Sequence, residues 1–78
     1  MQEVEFLKFV VENLVNNKED IVIEKKDDEL GTLLTLRVNK ADMGIIIWKG
    51  GNTINALRAI LRLLGLKLSK KINLKVVD

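Results

Sequence analysis

Apolar residues recur at helical spacing early in the chain. Leu7, Val10, Val11 and Leu14 share one face, Phe6 and Val15 widen it, and Glu5, Lys8 and Glu12 fall opposite, which predicts a first helix. Asn16-Asn17-Lys18-Glu19-Asp20 ends it with turn-favouring side chains. The period then changes. Ile21-Val22-Ile23 is a β-branched run, and Leu34, Leu36 and Val38 alternate with Thr35 and Arg37, so two strands are expected, the second with one buried face. Asp27-Asp28-Glu29-Leu30-Gly31 supplies the hairpin connection. Its three acids read as a solvated turn, because no further oxygen ligands follow at the spacing a hard metal needs.

Helical spacing returns in the second half. Asn39 with Asp42 three residues later forms an N-cap pattern with an acid in the first turn, predicting a short helix from about Lys40 to Ile47. Ile54, Leu57, Leu61 and Leu64, with Ile60 beside them, predict a longer helix ending near Gly65. Ile72, Leu74 and Val76 alternate with Asn73, Lys75 and Val77, predicting a last strand. The order is α-β-β-α-α-β. A hairpin followed by a strand that arrives after two helices gives an α+β fold, with a three-stranded sheet and helices on one face. With no proline, repeat or linker, residues 1–78 are expected to form one domain.

A chain of 78 residues buries only about 60% of its unfolded surface, so its stability is modest or shared with a partner. Histidine and cysteine are both absent, which removes the usual general base, the thiol nucleophile and the common zinc ligands. An enzyme, a metal site or a cofactor is therefore not expected. A chain without cysteine suits a reducing cytoplasm, and no run approaches the roughly 20 apolar residues of a membrane span. The net charge of +2 hides a division: residues 1–29 hold nine acids against four lysines, a balance of −5, and residues 30–78 hold nine cations against two acids, a balance of +7. Such segregation favours anions on one side of the molecule.

The basic half contains Asp42–Arg62, DMGIIIWKGGNTINALRAILR, in which a glycine pair separates the two predicted helices. Glycines there allow close backbone approach, and a helix N-terminus attracts anions. With DMG before it and TINALR after it, this segment resembles the helix-GxxG-helix core of KH domains, specifically the small bacterial single-domain KhpA-type proteins. The resemblance covers nearly the whole chain and implies a type II KH fold. It maps Lys49 onto the family's loop lysine and Gly51 onto its second loop glycine, so that Lys49, Gly50, Gly51 and Asn52 would clamp the backbone of about four nucleotides of single-stranded RNA. It also implies a homodimer, a larger KhpB-like KH partner, and a role as an RNA chaperone or regulator connected with cell shape and cell wall biogenesis.

Spacing adds two candidate surfaces. Asn55, Arg58 and Arg62 line one face of the long helix, reading either as a phosphate track continuing from Lys49 or as an ordinary solvated face. Ile45, Ile46, Leu36 and Val38 are the residues expected to form a groove for bases. Ala56, Ala59, Leu63 and Leu66 make a second apolar stripe on the same helix, a candidate protein interface unless both stripes bury within one domain. Trp48 stands where the family loop begins with glycine. Its ring would stack on a base or anchor a partner subunit, with protein contact the favoured reading. The alternative function is a KH-fold dimerisation or adaptor module that has lost RNA affinity through this loop.

Overall fold

The computed structural model describes residues 2–77, apart from the side chains of Gln2 and Lys49. Helix α1 spans Gln2–Glu12, strand β1 Val22–Asp28, strand β2 Gly31–Arg37, helix α2 Met43–Ile46, helix α3 Trp48–Lys67 and strand β3 Ile72–Val77. Short 3-10 turns occupy Lys18–Asp20 and Lys40–Asp42. The sheet order is β1-β2-β3, with β1 antiparallel to β2 and β3 parallel to it. A hairpin needs only a tight turn for the first pairing, whereas the parallel pairing requires the α2–α3 crossover.

Leu34 and Leu36 on β2 and Ile72 and Leu74 on β3 are buried, while Leu33, Arg37, Asn73 and Lys75 on the opposite face are exposed. The helices therefore cover one face of the sheet. Leu7, Val11 and Val15 meet Ile54, Leu57 and Leu61 over those strand residues, with Ile46 and Val38 closing the end of the core. Each fully buried Leu, Ile or Val contributes about 1.5–3 kcal/mol of transfer free energy.

Several boundaries depart from expectation. Strand β1 runs on through Glu24-Lys25-Lys26-Asp27-Asp28, leaving Glu29 and Leu30 as the turn; the Asp28 carboxylate accepts from the N–H groups of Leu30 (2.8 Å) and Gly31 (3.1 Å). An edge strand tolerates this charge, and charge there discourages further strand addition. The predicted helix over 40–47 divides: Asn39 does cap, accepting from Ala41 N–H at 2.8 Å, but it caps a 3-10 turn, and α2 is a single turn. Asp42 does lie in the first turn of that 3-10 segment, but it does not face water. It is buried, and its two oxygens accept from Asn16 N–H (3.2 Å), Asn17 N–H (3.0 Å) and the Asn17 amide (3.1 Å), tying the end of α1 to α2. Burial pushes its carboxyl pKa up, but these donors outweigh burial and hold it below the ordinary range.

Helix α3 does not stop at Gly65. Gly65 is buried, and a Cβ there would lie 2.5 Å from the Lys70 carbonyl oxygen, so glycine lets the return to β3 pack close. The end comes later, in a Schellman arrangement: Lys70 N–H donates to Gly65 O (2.8 Å), Ser69 N–H to Leu66 O (3.2 Å), and Ser69 takes φ 58°. Two apolar residues assigned to core stripes also lie outside it: Leu14 is 39% exposed and Ile60 44%.

Candidate nucleic-acid interface

The junction between α2 and α3 is wound more tightly than an open loop. Ile47 N–H donates to Met43 O (3.0 Å) and Gly51 N–H to Ile47 O (2.8 Å), so the turn containing Trp48-Lys49-Gly50-Gly51 is hydrogen-bonded into the start of α3. Gly50 and Gly51 have φ 70° and 98°, backbone that L side chains rarely adopt. Trp48 has no positive φ: Ser69 is the one non-glycine residue that does among those described. The left-handed backbone thus falls on the two glycines present, and tryptophan at the loop start changes the side chain without straining the chain.

Gly50 is exposed and Gly51 buried; the Lys49 side chain lies outside the described residues. Asn52 is exposed and lines a groove with Trp48, away from the basic face. On that face Asn55 and Arg62 are exposed, but Arg58 is only half-exposed. Its Nε donates to the Leu74 carbonyl (3.2 Å) and its Nη1 to Asn55 Oδ1 (3.4 Å), so the guanidinium covers part of the open edge of β3 while keeping its charge beside the loop-proximal turn.

The base groove expected from Ile45, Ile46, Leu36 and Val38 does not form. Leu36 and Ile46 are fully buried, Val38 is 5% exposed, and only Ile45 is partly accessible. An alternating strand and a one-turn helix packed on it place these side chains in the same core. The exposed apolar residues near the loop are Ile47 and Trp48, at 48% and 57%.

The second stripe of α3 is solvent-facing along its length: Ala56 and Ala59 are exposed, Leu63 is 66% exposed and Leu66 77%. Both stripes therefore do not bury within this domain. The stripe divides, however. Trp48, Ala56 and Ile60 face Val10 of α1 and Leu14 of the turn after it across one groove; Ile60 and Leu63 adjoin Phe6 in the next; Leu66 turns to the other side of α3 and shares a groove with Arg62. Spacing missed the contribution of α1 and of Leu14 just beyond it, which looked like core.

An α-β-β-α-α-β chain with a mixed three-stranded sheet and a positive-φ glycine turn joining its second and third helices defines a KH-like α+β domain. The profile described as KhpA/KhpB, KH domain, matches residues 4–76. The chain belongs to this family, which is not one of enzymes. A protein from Borreliella burgdorferi named RNA-binding protein KhpA is 30% identical over 76 residues, covering 97% of this chain and 93% of its own. Proteins of the same name from Listeria monocytogenes and Aquifex aeolicus are 34% and 30% identical over 74 residues, covering 95% of this chain and 97% and 94% of theirs. No solved structure gave a significant match. No helix is long and apolar enough to cross a membrane among the described residues.

Proposed function

We propose that this protein binds single-stranded RNA at the Trp48–Gly51 turn and along the Asn55, Arg58 and Arg62 face of α3, without catalysis, as a cytoplasmic RNA chaperone or post-transcriptional regulator. The observation that carries the reading is the pair of left-handed glycines at the head of a basic helix face, in a chain whose relatives are named for RNA binding. Exposed Gly50 allows a phosphate to approach the backbone, and the cations beyond it neutralise the next phosphates. Arg58 is a poor probe, because its loss also removes a hydrogen bond to β3. Arg62 and Lys49 are the better ones. Arg62→Ala and Lys49→Ala are each expected to weaken binding to an unstructured oligouridylate and to lower its salt slope by about 0.7, the value for one phosphate contact on a single strand. Wild-type protein that binds no oligomer at low salt would overturn the proposal.

A second element of the reading concerns assembly. The apolar grooves between α1 and α3 support a homodimer or a KhpB-like partner docked over Trp48, Ala56, Ala59 and Leu63. The adaptor alternative keeps this face and lacks RNA affinity. Salt-dependent RNA binding separates the two.

A further inference from the structure

We infer that the strand-binding face continues past Arg62 into the groove between the C-terminal turns of α3 and the start of β3, where it takes further nucleotides of the same single strand; this rests on the RNA reading above. The groove, about 530 Å³, is lined by Arg62, Gly65, Leu66, Lys71, Ile72 and Asn73, among others. Three observations point to a nucleic acid strand as occupant.

The first is continuity. Arg58 and Arg62 are four residues apart on one face, and β3 runs back along that face, since Arg58 reaches Leu74 while Gly65 packs on Ile72. The path from Gly51 to Gly65 is about 21 Å of helix axis at 1.5 Å per residue. A strand stacked at about 3.4 Å per nucleotide needs about six nucleotides to follow it. The loop alone accounts for about four.

The second is charge. Arg62 and Lys71 are both exposed on the two walls, and none of the described side chains lining the groove is acidic; the Lys70 ammonium is held by Glu3, and Asp27, Asp28 and Glu29 stand in the neighbouring groove beyond Lys71. The third is the surface between the cations. Leu66 is 77% exposed and gives an apolar platform, and Asn73 offers an amide donor and acceptor beside it. Cations that hold phosphates, interleaved with apolar surface for a base, make up a sequence-tolerant single-strand site. Gly65 sets the depth: a side chain there would meet Lys70 and Ile72 and force the return to β3 away from α3.

The test uses the full chain with a tetrauridylate and an octauridylate at low salt. Lys71→Ala removes the ammonium but keeps the Cβ that lies near Gly31. The expected result is that the octanucleotide binds more tightly than its extra registers explain, that Lys71→Ala weakens it several-fold and lowers its salt slope by about 0.7, and that the tetranucleotide is unaffected. Lys71→Glu is expected to deepen the loss. If wild type binds both oligomers equally, or if Lys71→Ala and Lys71→Glu both bind the octanucleotide as wild type does, the extension is wrong while the loop site stands. Failure of wild type to bind either oligomer overturns the RNA reading and the extension together.

Discussion

Glu3 shows how far a single residue departs from what its neighbours in sequence suggest. It is 1% exposed, and its Oε1 pairs with Lys25 at 2.6 Å and Lys70 at 3.1 Å. Lys25 sits opposite Leu34, at a position of β1 that faces the helices, so edge strand, α1 and the α3–β3 return are pinned by one carboxylate. The Lys25 hydrogen bond, opposed by burial and assisted by Lys70, lowers its pKa from the ordinary 4.5 to about 2. A carboxylate depressed in the folded state contributes stability that is fully present above about 4.5 and is lost as pH falls toward 2. Glu3→Gln is expected to cost about 1–3 kcal/mol at neutral pH, read from the urea midpoint at unchanged m, and to flatten the midpoint's decline between those pH values. An identical acid profile in the variant would place the acid sensitivity elsewhere. Neither Glu3 nor Asp42 was legible as a structural acid, because their partners Lys70 and Asn16–Asn17 lie 67 and 25–26 residues away. Local pattern carries no such pairing. The left-handed glycines were legible, since only glycine suits that backbone without strain.

At the scale of the element, period located α1, α3 and the three strands, a capping pattern located the segment that holds α2, and β3 matched its predicted span. The misses have particular causes. Strand β1 continues through five charged residues because its backbone pairs with β2 whatever its side chains, and an edge position leaves all but Lys25, which reaches Glu3, in water. The α3 stop was misplaced because glycine serves helix ends and close packing alike, and Gly65 does the latter while Ser69 takes the left-handed position. A non-glycine residue in that conformation is strained by about 1–2 kcal/mol. Ser69→Gly is accordingly expected to stabilise the fold by about 1 kcal/mol and to shift the thermal midpoint upward. A drop in midpoint would mean that the serine side chain contributes more than the backbone strain it carries. The same substitution touches the groove that also holds Lys71, so its RNA affinity serves as a control for rigidity there.

Across the whole molecule, the division of charge along the chain becomes a division in space only in part, since Lys70 pairs with Glu3. Arg58 and Arg62 lie on α3 away from the acids, whereas Asp27, Asp28 and Glu29 at the hairpin end of the sheet share a groove with Lys70 and Lys71. The apolar stripe of α3 forms a different side, facing α1, so a partner there and a strand on the basic face meet only at Trp48. That separation was only partly legible: the spacing showed two stripes on one helix but placed Leu66 with the wrong one and left Phe6, Val10 and Leu14 out of the outer surface. The proposed dimer is tested on Leu63 and Trp48 together. Leu63→Glu introduces a charge on an exposed apolar position, 66% accessible, and is expected to give folded monomer in sedimentation. Trp48→Gly leaves the backbone of the turn unstrained, since its φ is already outside the left-handed region, and removes only the ring from the groove it shares with Ala56 and Ile60. Dimer dissociation is expected to rise in this variant, by an amount typical of an aromatic anchor, on the order of 2 kcal/mol, while RNA affinity increases as the ring no longer crowds the turn. Weaker RNA binding with unchanged assembly would instead assign the ring to base stacking, and a wild-type monomer at high concentration would remove the dimer altogether.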